Sequence, residues 1–168
     1  MMKTWAITDV GLVRKENQDA YRIARGGDVC VVCDGMGGAA GGQIASTLAA
    51  ETYAAELEKI LKPDMTPEQL REASSYAVAM ANLAVENRAS EDDELSNMGT
   101  TLVSAIAYEG GAVVTNIGDS RAYYITRAGI TRITKDHSLV ESMVDHGDIT
   151  ADEARHHPSR NLITRALG

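Results

Sequence analysis

Four short segments of this chain gather polar side chains that could do chemistry: Arg14-Lys15-Glu16-Asn17-Gln18-Asp19, Asp34-Gly35-Met36-Gly37-Gly38, Gly99-Thr100-Thr101 and Asn116-Ile117-Gly118-Asp119-Ser120-Arg121. Asp34 follows Cys30-Val31-Val32-Cys33, the most apolar strand-like run, and Asp119 follows Val113-Val114-Thr115-Asn116-Ile117-Gly118. A carboxylate at such a strand end is costly to desolvate unless a cation or strong donor meets it. Carboxylates, backbone carbonyls and water are the ligands of Mg²⁺ and Mn²⁺. Glycines beside Asp34 would let backbone approach a ligand closely. Each segment alone also reads blandly. Asp34-Gly35 is a hairpin turn, Asp119-Ser120 an Asx-capped turn, and Arg14 with Glu16 a solvated surface.

These segments need elements to hold them. Alternation predicts a strand over 4–10 and two more over 20–25 and 28–33, turning at Gly26-Gly27. A helix is expected from about Gln43 to Lys62, with Ile44, Leu48, Leu57, Ile60 and Leu61 inward. Thr66-Pro67-Glu68-Gln69 is a capping box with Pro at the first helical position, opening a helix to about Asn87. Its inward positions are Leu70, Ala73, Ala77, Met80, Ala81 and Ala84. Residues 90–97 are an acidic loop. Strands are expected over 100–108, 112–117, 121–126 and 130–134, then short helices over 138–146 and 150–157, the second with a capping box at Thr150 and Glu153. The order implies a single α+β domain over 1–168 with antiparallel sheets.

Composition narrows the function. A net charge of −8 argues against nucleic acid or an anionic membrane surface as partner. No run approaches the length of a membrane span, and the start has no secretory h-region. Cys30 and Cys33 lie three apart in a strand, hence on opposite faces, and read as buried thiols of a reducing, cytoplasmic protein and not as a redox pair. No Cys/His spacing fits zinc, and His156-His157 before Pro158 reads as a solvated pair.

Taken in order, R-x-E-N-Q-D, D-G-M-G-G ahead of a long helix, M-G-T-T, G-D-S-R-A-Y, T-K-D-H-S and R-A-L-G resemble the bacterial branch of the type 2C (PPM) metal-dependent Ser/Thr protein phosphatases, over the whole chain. The resemblance implies an α/β/β/α sandwich of two antiparallel sheets flanked by paired helices. It implies two or three Mn²⁺ or Mg²⁺ ions at one end of the sandwich, and hydrolysis of phosphoserine and phosphothreonine by a metal-activated water. Asp34 corresponds to the carboxylate bridging two metals and Gly35 to the carbonyl ligand. Asp119 corresponds to a ligand of a third, weaker metal. Asp19 and Gln18 match the acidic pair that meets metal through water, with Gln18 where many relatives carry Glu. Arg14 corresponds to the phosphate-binding arginine. Met36 replaces a general-acid His of some eukaryotic relatives, which points to metal-bound water or solvent as the proton source.

The family pattern continues past R-A-L-G into Asp-Gly and Asp-Asn segments whose strands and aspartates this sequence does not contain. Asp136, Asp145, Asp148 and Asp152 are not expected to replace them. The chain therefore reads as the N-terminal portion of a longer enzyme, itself inactive, or as a non-catalytic phosphatase-like module that binds a phosphoprotein. The expected partners are phosphoproteins made by a Ser/Thr kinase, together with a second copy paired through exposed sheet edges. A serine hydrolase fails because Ser120 lacks a G-x-S-x-G elbow, and a P-loop fails because no G-K-[ST] follows the glycines.

Overall fold

The computed structural model describes residues 3–38 and 41–168; Ala39 and Ala40 of the glycine-rich run lie outside them. The strands are β1 (Asp19–Ala24), β2 (Val29–Met36), β3 (Gly99–Thr100), β4 (Leu102–Tyr108), β5 (Gly111–Ile117), β6 (Tyr123–Thr126) and β7 (Gly129–Arg132). The helices are α1 (Gly41–Ile60), α2 (Pro67–Ser90), α3 (Leu139–His146) and α4 (Ala151–His156). The main sheet is antiparallel in the order β1-β2-β4-β5, with β3 pairing the end of β2, and β6-β7 form a second antiparallel sheet. The fold is α+β, as the order of elements implies.

One face of the main sheet meets α1 and α2. Ala20, Ala24, Val29, Val31, Cys33, Leu102 and Ile106 bury against it. The buried face of α1 is Ala45, Ala49, Ala50, Tyr53, Ala54 and Leu57, whereas the expected Ile44, Leu48 and Ile60 are only half-buried. Small side chains win the centre of the contact because they let the helix axis approach the sheet, which pushes longer aliphatics to its margins. On α2 the expected Leu70, Ala73, Ala77 and Ala81 are buried, whereas Met80 and Ala84 are only half-buried and Val85 is buried instead. Both capping boxes form: Thr66 Oγ1 accepts from the Gln69 amide at 3.3 Å while Gln69 Oε1 accepts from the Thr66 amide at 2.9 Å, and Thr150 with Glu153 repeats the pattern. Tyr53 is fully buried, and its hydroxyl lies 2.7 Å from Ser74 Oγ and 2.6 Å from Ser104 Oγ. It thereby joins α1 to α2 and β4.

The other face of the main sheet carries Ile23 and Val32 in exposed positions. The strand expected over 4–10 is not formed. Its alternation is real, but a strand requires a ladder partner, and the described hydrogen bonds of this segment run through side chains, from Thr4 Oγ1 to Gly27 O at 3.2 Å and from Asn17 Nδ2 to Thr8 Oγ1 at 2.8 Å. Trp5, Ile7, Leu12 and Val13 consequently stay exposed. Cys30 and Cys33 are free thiols on opposite faces; Cys33 is buried, which pushes its pKa up to about 12, whereas Cys30, expected to be buried, is only half-buried because the helices do not cover its face. No helix among the described residues is long and apolar enough to cross a membrane.

Candidate metal and phosphate site

The β1–β2 ladder sets Asp19 directly opposite Asp34. Because side chains alternate along a strand, the burial of Cys33 places Asp34 on the face that α1 does not cover. The backbone of Asp34 is clamped by the Gly99-Thr100-Thr101 segment. Its amide donates to Thr101 Oγ1 at 2.9 Å. Its carbonyl accepts from the Thr101 amide at 2.9 Å and from Thr100 Oγ1 at 3.0 Å. The Thr101 hydroxyl also lies 2.7 Å from Ser120 Oγ. One side chain thus ties the strand that bears Asp34 to the loop that bears Asp119. The sequence singles out the Gly99-Thr100-Thr101 segment, but the partners of Thr101 are set by sheet packing.

Gly35 is required by packing. A Cβ there would sit 1.9 Å from Gly42 O and 2.7 Å from Gln18 O. The first turn of α1 therefore lies against the strand end, and the Gly35 amide donates to Gln18 O at 3.0 Å. The side chain of Gln18 donates from Nε2 to Gly38 O at 3.2 Å. An ionised Glu has no donor to make that bond, so Gln18 here serves the glycine loop.

The charges of the remaining predicted residues act on Asp34. The Asp34 carboxyl is pushed above the ordinary carboxylate range, first by burial, then by the charge and hydrogen bond of Asp19, then by the charge of Asp119; Arg14 opposes this. Asp9, Arg14, Glu16, Asp19, Asp34 and Gly35 line a cavity of about 240 Å³. Asp119 instead lines a separate cavity of about 530 Å³, with Arg121 and Asp136. A surplus of carboxylate over cationic side chains, made of hard oxygen donors, suits Mg²⁺ or Mn²⁺. Among the described residues no three His, Cys, Asp or Glu side chains group closely enough to hold a metal ion. Small hard cations of this class usually keep several waters and take one or two carboxylates plus phosphate oxygens, so this donor set fits such an ion without a closed protein cage.

The other carboxylates near the short helices are engaged elsewhere. Asp136 is buried and takes a fork from Arg121, with Nη2 to Oδ2 at 2.6 Å and Nε to Oδ1 at 3.1 Å. Asp145 pairs with Lys135, and Asp152 with Arg155. His156 is exposed, and Nδ1 of His157 accepts from the Ser159 amide at 3.1 Å.

The profile of the protein phosphatase 2C family matches residues 13–160. The chain belongs to that family. It is 33% identical over 164 residues to the serine/threonine phosphatase stp of Listeria monocytogenes, covering 96% of this chain and 65% of that one. It superposes on the serine/threonine phosphatase Stp1 of Staphylococcus aureus with a TM-score of 0.87 at 36% identity, covering 96% of this chain and 64% of that one. The catalytic domain of the serine/threonine protein phosphatase PstP, solved in complex with two manganese ions, matches with a TM-score of 0.76 at 34% identity, covering 94% of this chain and 63% of that one. The chain thus spans just under two thirds of the length of these relatives.

Proposed function

We infer that this chain forms the first part of a metal-dependent protein serine/threonine phosphatase domain that hydrolyses phosphoserine and phosphothreonine. The observation that carries this reading is Asp34 opposite Asp19 on the uncovered sheet face, in a cavity that Arg14 also lines. In this reading Asp34, the Gly35 carbonyl and Asp119 hold Mn²⁺ or Mg²⁺, in two or three positions in the complete enzyme, and Asp19 reaches the ions through water. When bound, the ions supply an activated water and neutralise phosphoryl charge. The work of the chain is to place these groups. Thr100 and Thr101 fix the backbone of Asp34, and the close contact of Gly35 with Gly42 holds the strand end against α1. Arg14, a planar five-donor fork, orients two phosphate oxygens in bidentate fashion.

Because no three donor side chains converge among the described residues, we assign full activity to a longer chain that supplies further carboxylates. The substrates are phosphoproteins made by a Ser/Thr kinase in the cytoplasm, with no nucleic-acid or membrane partner. The exposed Ile23, Val32, Tyr124, Ile125 and Ile130 support association of the 168-residue chain with a second copy.

The test is hydrolysis of a phosphothreonine peptide at saturating Mn²⁺. The 168-residue chain is compared with a chain lengthened to the extent of the relatives, each with an Asp34→Asn control and with its mass measured by light scattering. The reading expects Mn²⁺-dependent turnover in the longer chain, a loss of about 100-fold or more on Asp34→Asn, and a rate lower by orders of magnitude in the 168-residue chain. Turnover that survives Asp34→Asn would refute it. Peptide binding without turnover in either chain would favour a non-catalytic binding module.

A further inference from the structure

The T-K-D-H-S segment offers no ligand in the site described above, yet its histidine grips the residue that precedes Asp119. The Gly118 amide donates to His137 Nδ1 at 3.1 Å. In return the His137 amide donates to Gly118 O at 2.9 Å. Gly118 is buried with φ +99°, and a Cβ there would meet Thr101 Cγ2 at 2.6 Å. Its backbone therefore adopts a conformation open chiefly to glycine, which local preference alone does not hold in one place. His137 is itself anchored from behind, because its carbonyl accepts from the Thr164 amide at 2.8 Å. Asn116 Nδ2 completes the clamp, bonding Gly118 O at 3.2 Å and Lys135 O at 3.0 Å.

We propose that His137 is a positioning residue that sets the direction of the Asp119 carboxylate by gripping both backbone groups of Gly118 through 19 residues of chain separation. The inference rests on the reading of Asp119 as a cation ligand. An acceptor at Nδ1 requires the imidazole to be neutral with its proton on Nε2. Burial and the neighbouring Arg165 both push the His137 pKa down and hold it in that form, against the smaller opposing effect of Asp136. The grip needs an acceptor atom at one place, not an imidazole. Asn Oδ1 occupies the place of Nδ1, whereas Gln Oε1 lies one bond beyond it and Leu has no acceptor.

The experiment follows backbone amides of the 168-residue chain by NMR. It compares His137→Asn, His137→Gln and His137→Leu with the parent, and reads hydrogen exchange of Gly118 and the broadening of Asp119 and Ser120 amides by added Mn²⁺. Leu and Gln should speed Gly118 exchange by about tenfold, the worth of one net hydrogen bond, and reduce the Mn²⁺ broadening. Asn should restore both. Where Leu prevents folding, the Gln-against-Asn comparison decides. Gly118 exchange unchanged in Gln, or not restored by Asn, overturns the proposal. A separate Asp119→Asn variant tests the reading beneath it. If Mn²⁺ broadening persists there unchanged, Asp119 is not a ligand, while Gly118 exchange still decides whether His137 positions the loop.

Discussion

Asp19, the first residue of β1, and Asp34, two residues before the end of β2, are direct partners across the β1–β2 ladder, both on the face that the helices leave uncovered. Like charges placed opposite each other in a sheet repel. Here the repulsion adds to the burial that already lifts the Asp34 pKa. In the absence of divalent ions the native state therefore holds a proton on Asp34 at pH values where the unfolded chain has released it. Stability contributed by this group is present below the ordinary carboxylate range and is lost as pH rises through the folded pKa. Asp34→Asn should raise the stability of the metal-free protein at pH 7 by about 0.2–1 kcal/mol, the scale of an exposed charge pair after solvent screening. The gain should vanish on acidification below the carboxylate range. Urea midpoints of the two proteins across pH, in a chelator, measure it, and a lower midpoint for Asp34→Asn at neutral pH would contradict the repulsion.

Arg14 faces the same carboxylate with opposite sign. It stands outside any regular element, on an exposed stretch, and its charge opposes the rise of the Asp34 pKa. A charge-assisted hydrogen bond is worth about 1.5–3 kcal/mol. Arg14→Ala should therefore raise the KM for a phosphothreonine peptide, or the Kd for inorganic phosphate, by about tenfold to 100-fold. Mn²⁺ affinity should move by less than about threefold, because Arg14 offers no metal ligand. Calorimetric titration of phosphate and of Mn²⁺ separates the two effects. The same variant should lift the Asp34 pKa further.

Tyr53 tests what holds the platform under the site. Its hydroxyl meets Ser74 and Ser104, and Ser74 passes on to Thr115 Oγ1 at 2.6 Å, so four hydroxyls join α1, α2, β4 and β5. Tyr53→Phe keeps the ring and removes the node, leaving Ser104 buried without its partner. The expected cost is about 1–3 kcal/mol, the penalty of an unsatisfied buried polar group. Tyr53→Phe with Ser104→Ala should recover part of it, since an apolar pair has nothing left unsatisfied. Urea unfolding reads both, and additive losses would show that the hydroxyls are not coupled.

Much of this architecture is legible along the chain because it depends on neighbours in sequence. Thr66 with Gln69 and Thr150 with Glu153 cap helices within a single turn, and the β1–β2 hairpin follows from two β-rich runs separated by Gly26 and Gly27. The order of the motifs likewise marks Arg14, Asp19, Asp34, Gly35 and Asp119 as candidates for the site. What tertiary structure alone decided lies across longer separations. Trp5 and Ile7 alternate like a strand but form none among the described residues, because a strand exists only as one side of a ladder. The alanines of α1 bury more deeply than its larger aliphatics, because the sheet sets how near the helix may come. Thr101 reaches Asp34 across 67 residues and Ser120 across 19, and Gln18 reaches Gly38 across 20. A hydrogen bond of that kind is fixed by sheet register and layer packing, which no short window of sequence contains, whereas propensity, capping and periodicity act within a few residues and can be read there.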